Sequence, residues 1–484
     1  MAQEKPLLFL SALEQAELIR QKALSPVELA ERCLEQIEQT DGALNAWIQV
    51  EPECVMAEAR VAEQEIASGH YRGPLHGLTF GVKDQMHADG FLTSMATRVL
   101  DPDEMQPGEQ ATLITRLREA GAILLGKQNL HEFGKGGTIE FAYGQPRNPW
   151  NPERTPSGSS SGSGIATVAG QCSFSIGEDT GGSVRGPASC NGIVGLRPTH
   201  GLISRHGGIM HAYTSDTFGP MGRSVADVAA VLQVGAGHDP KDPLSLRHPV
   251  PDYQRDLAGG VKGLRMAVVS EMARADHTDL EVRAAFEAAV ETLRGEGAIV
   301  EEISLPLARW AVPLQLLTAD ADVAAQFLNG YLRDRYERFD IGTRTRLAAS
   351  SLIPASVYSR AMRARAVVRR EVLAATCQYD ALLTPTNVTP PKSIEATQEK
   401  VGGDHDVVSR LIERRICHYP FSLANVPALS VPCGFAKDGD VPVALQIAGR
   451  PLSEATVLRI GHCYEQATEW HQRYPSMDWI TAAP

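Results

Sequence analysis

The sequence predicts an α/β fold with a largely parallel or mixed sheet, and three observations carry that prediction. Short apolar runs that read as strands alternate with amphipathic helical stripes through much of the chain. One helix-to-strand turn is used twice, at Leu117-Arg118…Gly121-Ala122-Ile123 and at Leu293-Arg294…Gly297-Ala298-Ile299. The composition, 43% apolar and 21% charged, is that of ordinary globular material that can bury a core.

The elements follow in order. Ser25-Pro26-Val27-Glu28 reads as a helix start with Ser as N-cap, Pro in the first turn and Glu closing a capping box. Leu29, Cys33 and Ile37 then repeat at helical spacing. Residues 78–82 (LTFGV) form a short strand that ends at Lys83-Asp84. Residues 111–120 predict an amphipathic helix stopped by Gly121, and 122–125 a buried strand. Cys172, Phe174 and Ile176 alternate with Ser173 and Ser175, the pattern of a half-buried strand. GLRMAVVS (263–270) predicts a strand before the second unit. There Val282, Phe286, Ala289, Val290 and Leu293 make a helical stripe, and AIVEEISL (298–305) follows as strand. Pro/Asp-rich stretches at 236–251 and 384–392 are the candidate boundaries. The Arg-rich run at 359–371 reads as a solvated helix face.

With 484 residues, the length alone allows about three domains. The net charge of −12, with no block of Lys and Arg, gives no electrostatic footprint for nucleic acid or an anionic membrane. Eight scattered cysteines without a C-x-x-C pair predict buried thiols in a reducing compartment. The first residues hold only a four-residue apolar run, and no stretch reaches the ~18 apolar residues of a membrane span. A cytoplasmic protein is expected.

Two motifs match by letter and fail by context. Gly158-Ser159-Ser160-Ser161-Gly162 fits G-x-S-x-G, but Pro149, Pro152 and Pro156 precede it where a nucleophile elbow needs a strand. Gly121…Gly126-Lys127 fits a phosphate loop. Its middle residues are core strand, however, and Gln128 stands where the loop needs Ser or Thr. No H-E-x-x-H or clustered histidine spacing predicts a metal, and no cofactor is expected.

The promising stretch is 177–185, GEDTGGSVR. A strand running into Thr-Gly-Gly-Ser presents successive N–H groups with little side chain in the way. Such a nest suits a developing oxyanion, and Ser183 at its end is placed to attack the same carbonyl. A serine hydroxyl needs a base, and Lys83 at a strand end is the candidate if burial lowers its pKa. Read locally, Lys83 is first of all an exposed strand-end lysine and the 157–164 cluster a flexible loop, while Ser183 is as readily a turn residue.

Taken together, LTFGVKD, SGSSSGSGIATVAG and GEDTGGSVRGPASCNGIVGLRPTHGLISRHG resemble the amidase signature family in order, spacing and residue type. The flanks agree: SPVELAERCLEQI, GKQNLHEFGKGG, RNPWNPERTPSG and ANVPALSVPCGF…VPVALQIAGRPLSEATVLRIGHCYEQATEWH. The resemblance covers essentially the whole chain. It implies one amidase domain over 1–484, a central mixed β-sheet with helices on both faces, a signature core at 65–220 and a more helical, pocket-forming segment at 250–390. It also implies a Ser-cisSer-Lys triad. Ser183 would be the nucleophile, and Ser159, on a cis peptide and 24 positions earlier, would relay its proton to neutral Lys83. The N–H groups of Thr180, Gly181, Gly182 and Ser183 would form the oxyanion hole, with Asp179 and Arg185 bracing the loop. Gly136, Gly137 and Thr138 would lie beside the acyl pocket.

Two departures stand out: serines at 157 and 161 where the family often has Gly, and Gly186 where larger residues are common. The second suggests extra room behind the nucleophile loop.

The activity this implies is hydrolysis of a carboxamide-type C–N bond in a small molecule, without metal or organic cofactor, with a homodimer expected on base rates. The alternatives are action on carbamate, urea or ester bonds, or the glutaminase (A) subunit of a tRNA-dependent amidotransferase. That subunit's glutamine-recognising acid precedes an I-P-x-N-x-A-G-L-P-type segment. Here the matching segment, RRICHYPFSLANVP, carries Arg415 near that position and no acid between Arg414 and Pro420.

Overall fold

The computed structural model describes residues 5–274, 278–327, 330–398 and 415–481. Among the described residues eleven strands form one sheet: β1 (Trp47–Val50), β2 (Thr79–Lys83), β3 (Ile123–Gln128), β4 (Phe174–Glu178), β5 (Val194–Arg197), β6 (Phe218–Gly222), β7 (Arg265–Val269), β8 (Ile299–Ile303), β9 (Ala381–Pro385), β10 (Ala428–Ala436) and β11 (Val441–Ala448). Their order is β1-β3-β2-β4-β6-β5-β10-β11-β9-β7-β8. The sheet is mixed. β3, β2 and β4 run parallel, as do β9, β7 and β8, and the central β6, β5, β10 and β11 pair antiparallel.

Helices cover both faces. Leu429 and Val431 on one face of β10 meet the helix Glu454–Gln466, close enough that Gly461 has no room for a Cβ. From the other face of the neighbouring β11, Gln446 Oε1 accepts a bond from Arg185 in the helix Arg185–Asn191. This double cover corrects the expectation of a half-buried β4, because all five of its residues are enclosed. Phe174 stacks on Phe80 of β2 at 5.4 Å, and Ser175 accepts from Gln128 Nε2 at 2.8 Å. The polar half of the alternation is satisfied inside the protein rather than by water.

The predicted strands and helices lie close to where the sequence put them, and local chemistry explains the differences. Ser25 Oγ caps Val27 and Glu28 N–H at 3.0 and 3.3 Å, but Glu28 makes no return bond and the hydroxyl turns to Glu63 instead. The phosphate-loop look-alike is strand β3, with Lys127 buried against Asp84 at 2.7 Å. The Pro-rich stretch at 384–392 opens inside β9, whose Thr384 and Pro385 pair with β11. The Arg-rich run lies in the helix Ala355–Gln378. Arg360, Arg363, Arg369 and Arg370 are exposed as expected, whereas Arg365 is buried and donates to Thr214 and to the Leu423 carbonyl. Five cysteines are buried, but Cys54 and Cys377 are exposed. The outer strand β8 carries the charged, partly exposed Glu301 and Glu302, which discourages edge-to-edge pairing. Among the described residues no helix is long and apolar enough to cross a membrane.

Candidate active site

The three parallel strands β3, β2 and β4 end at the same edge of the sheet, the place where ligands gather in open α/β folds. Register puts Val82 beside Ile176, so Lys83 closes β2 next to the end of β4, where Glu178 stands. Lys83 is fully buried, which removes the exposed-lysine reading. Its Nζ lies 2.8 Å from Ser159 Oγ and 2.9 Å from Glu178 Oε2.

Ser159 follows a cis peptide bond from Gly158 and is fully buried just ahead of the helix Ser161–Val168. A Cβ at Gly158 would overlap the His131 ring, so only glycine fits there. Hydrogen bonds tie this loop down: His131 N–H donates to the Ser159 carbonyl at 3.1 Å, Ser160 N–H to the Ser183 carbonyl at 3.3 Å, and Ser160 Oγ to the Glu178 carbonyl at 3.2 Å. The 157–164 cluster is therefore an enclosed, bonded loop and helix start.

Ser183 is 8% exposed and lies between β4 and the helix Arg185–Asn191. Asp179 shapes its loop. Oδ1 accepts the Gly182 N–H at 2.8 Å and Arg185 Nη2 at 3.0 Å; Oδ2 accepts Arg185 Nε at 3.0 Å; Arg197 Nη1 adds a contact to Oδ1 at 3.1 Å. Burial pushes this carboxyl up, but Arg185 and Arg197 outweigh it and hold Asp179 well below the ordinary carboxylate range. Arg185 in turn reaches Gln446 and Ser422, both at 2.7 Å. Asp179 and Arg185, the residues expected to brace the loop, are bonded to each other and to the Gly182 N–H.

The geometry amends the oxyanion expectation at one residue. Gly182 N–H is already committed to Asp179, so it is not free for a ligand. Among the described residues the N–H groups of Thr180, Gly181 and Ser183 meet no protein acceptor. Gly182 serves the loop differently. Its φ of +108° lies where glycine is favoured, and a Cβ there would fall 2.5 Å from His418 Cγ.

The room expected behind Gly186 is also filled. A Cβ at Gly186 would lie 2.9 Å from Ser157 Oγ, so the two departures from the family pattern are neighbours that compensate each other. Ser157 takes the space that Gly186 leaves.

Two cavities meet at Arg415. One, of about 40 Å³, is lined by Ser183, Glu178, Asp216, Lys135, Arg346 and Arg415. The other, of about 170 Å³, is lined by Gly136, Gly137, Thr138, Ser157, Gly158 and Arg415. The 136–138 segment, expected beside the acyl pocket, lines the larger cavity with Ser157 and Gly158, whereas Ser183 lines the smaller one. Arg415 Nη1 donates to the Gly181 carbonyl at 3.3 Å, and its guanidinium lies 5.9 Å from the Tyr419 ring centroid. Residues from the helical segment, Gln315, Asp320 and Arg346, close the smaller cavity.

The sequence reading missed several groups. His131, His211 and His418 surround the two serine loops, and burial is the main reason each is held neutral. His131 is pushed down to about 3, His211 to about 4, and His418 well below its ordinary value. Glu178 and Asp216 were missed as well, although an acid closing a strand directly before D-T-G-G-S was a visible signal.

Comparisons with known proteins identify the family. The family profile described as Amidase matches residues 28–458. The chain is 37% identical to the A subunit of the glutamyl-tRNA(Gln) amidotransferase of Moorella thermoacetica, over 97% of this chain and 99% of that protein. Among solved structures it resembles the native peptide amidase from Stenotrophomonas maltophilia, with TM-score 0.82, 30% identity and coverage of 97% and 98% of the two chains. It also resembles the A subunit of the glutamyl-tRNA(Gln) amidotransferase from Thermotoga maritima, with TM-score 0.79, 30% identity and coverage of 95% of each chain. With its fold, its two serine loops and these matches in agreement, the chain belongs to the amidase family, the amidase signature enzymes that act on amide C–N bonds.

Proposed function

We propose that this enzyme hydrolyses a carboxamide C–N bond of a small molecule through an acyl-enzyme on Ser183. Ser183 Oγ attacks the carbonyl while its proton passes to Ser159 and from Ser159 to the free amine of Lys83. The N–H groups of Thr180, Gly181 and Ser183 hold the oxyanion. Collapse of the tetrahedral intermediate breaks the C–N bond, and the proton returns through Ser159 to the leaving amine. Water then attacks the acyl group by the same relay, with no metal or organic cofactor taking part. The observation that carries this reading is the 2.8 Å contact between Lys83 Nζ and Ser159 Oγ, sealed from solvent and joined to Ser183 through the neighbouring Ser160. The same attack would serve carbamates, ureas or esters. The scattered, unpaired cysteines support a cytoplasmic setting.

A second reading is favoured by the names of the curated relatives: the glutaminase (A) subunit of a glutamyl-tRNA(Gln) amidotransferase, working with partner subunits. One residue argues against it. Arg415 stands near the position where the resemblance puts the glutamine-recognising acid, and it lines both cavities. A guanidinium there repels the α-ammonium of glutamine rather than holding it.

Assay of the purified chain on aliphatic and aryl amides, and on glutamine, separates the two. Turnover of amides by the chain alone, with glutamine untouched, supports hydrolysis by an independent enzyme. Glutaminase activity that appears only with amidotransferase partner subunits and glutamyl-tRNA(Gln) supports the second reading and contradicts the first.

A further inference from the structure

Glu178 has no task in the reaction as drawn, yet it touches the base of the relay. Glu178 Oε2 is 2.9 Å from Lys83 Nζ, and its other oxygen, Oε1, is 2.8 Å from the Thr180 hydroxyl. That hydroxyl is also 2.7 Å from Asp216 Oδ1. Glu178 and Asp216 are each 1% exposed.

The proton count in this chain of groups is informative. One hydroxyl carries one proton and makes one linear bond to one carboxyl oxygen. The second short contact is a hydrogen bond only if that carboxyl is itself protonated and donates to the hydroxyl oxygen. Asp216 is the better-solvated anion, because its Oδ2 also accepts the His211 and Ala212 N–H groups at 2.7 and 2.9 Å. Among the described residues the Glu178 carboxyl accepts no backbone N–H, and its hydrogen-bond partners are Lys83 and Thr180. With Lys83 a free amine, as the triad reading requires, the proton belongs on Glu178, donated to Thr180, while Thr180 donates to Asp216.

The titratable and charged groups around the chain are Lys83 on β2, Asp216 and neutral His211 on the loop before β6, Arg197 on β5, and Lys135, Arg346 and Arg415 on the cavity wall. Burial pushes Glu178 up, Lys83 pulls it down and Asp216 pushes it up again, with a net upward direction. Asp216 is raised too, by burial against its hydrogen bonds.

We propose that Glu178, Thr180 and Asp216 form a proton-holding chain that acts through Lys83. Glu178 keeps the proton while Lys83 is a free amine, and passes it through Thr180 to Asp216 when Lys83 becomes an ammonium. This rests on the triad reading above. The handover balances. The Glu178 O–H bond breaks as a new O–H forms on Thr180 Oγ1, and the original Thr180 O–H breaks as one forms on Asp216 Oδ1. The Glu178 carboxylate that results then faces the Lys83 ammonium, and the charges return when Lys83 gives its proton back. A permanent carboxylate would instead keep its charge beside the base throughout the cycle. Glu178 is thus a positioning residue for charge, one that favours the ammonium only after the relay has delivered a proton.

The test is the rate of fluorophosphonate labelling against pH, which needs no substrate. Wild type, Glu178→Gln, Thr180→Val and Thr180→Ser are compared, with infrared difference spectra for the C=O stretch of a protonated carboxyl. The chain predicts that Glu178→Gln labels at least about tenfold more slowly and that its acidic limb moves to lower pH, because the ammonium has lost its counter-charge. Thr180→Val slows similarly, Thr180→Ser recovers most of that loss, and the protonated-carboxyl band of wild type disappears in Glu178→Gln. If Glu178→Gln does not fold, the Thr180 pair carries the kinetic test, since both carboxyls remain. Labelling of Glu178→Gln at the wild-type rate and limb, or of Thr180→Val at the rate of Thr180→Ser, overturns the chain. A wild-type chain that labels nowhere instead overturns the Ser183 reading and the handover that depends on it. Even then, the infrared band reports whether Glu178 holds the proton.

Discussion

Lys83 Nζ and Ser159 Oγ lie 2.8 Å apart, although 76 positions separate them in the chain and neither side chain reaches solvent. The end of β2 and the start of the helix Ser161–Val168 meet at this contact, which pins a strand to a loop and pairs an amine with a hydroxyl. A buried lysine needs a reason, and the only side-chain partners it has among the described residues are Ser159 and Glu178.

Lys83→Met keeps most of the length of the side chain and removes the base. Amide hydrolysis and fluorophosphonate labelling are expected to fall by about 10²–10⁴-fold. The far-UV circular dichroism should match that of the native protein, because a protonated Glu178 leaves no orphaned charge beside the methionine.

Gly182→Ala tests the nucleophile loop without touching a reacting group. Alanine is strained at a φ of +108°, and its methyl would collide with His418. The loop must move, and with it the neighbouring N–H groups of Gly181 and Ser183. Loss of an oxyanion donor is worth about 10²–10³ in kcat, and a fall of that size is expected in steady-state kinetics.

Ser157 and Gly186 should be coupled. Gly186→Ala alone pushes on Ser157 Oγ and lowers stability, whereas the same change made with Ser157→Gly finds room. Ser157 has a φ of +64°, a conformation that glycine adopts freely, so Ser157→Gly costs little on its own. A double-mutant cycle by urea denaturation should give a favourable coupling of about 0.5 kcal/mol or more. Strict additivity would contradict the packing.

Glu465 gives a pH prediction remote from the site. Burial pushes its carboxyl from 4.5 up to about 8, while the unfolded chain releases that proton near 4.5. The folded state holds the proton across that window and the unfolded state does not, so this contribution to stability is full below 4.5 and is lost as pH rises through 8. Glu465→Gln does not titrate. Its melting temperature relative to wild type should therefore climb between pH 5 and pH 8 and level off above, as read by scanning calorimetry.

The sequence was most legible where chemistry constrains single residues. Thr-Gly-Gly-Ser after an apolar strand, and Lys83 at the end of another, were readable as local signals, and their spacing carried the family resemblance. Burial was harder to read. Ser173 and Ser175 alternate with apolar residues just as they would in a half-exposed strand, and only the helices on both faces reveal that they are enclosed. Arg365 sits among exposed arginines at helical spacing, and its burial depends on Thr214 and Leu423, which arrive from distant segments. The commitment of Gly182 N–H to Asp179 could not be read from order alone, because it depends on how the loop curls back on the carboxylate. Glu178, Asp216 and the three histidines belong to the same class. Glu178 carries one local signal, its place at the end of a strand directly before D-T-G-G-S; Asp216 and the histidines carry none, and all gain meaning from neighbours far along the chain.

The central claim is that Ser183 is the nucleophile and that Lys83 activates it through Ser159. Peptide mass spectrometry after fluorophosphonate treatment tests it most directly, on wild type, Ser183→Ala, Ser159→Ala and Lys83→Met. The account predicts one adduct on Ser183 in wild type, none in Ser183→Ala, and slow formation at the same residue in Ser159→Ala and Lys83→Met. An adduct on Ser159 or any other residue in wild type, or equal labelling of Ser183→Ala, would contradict it.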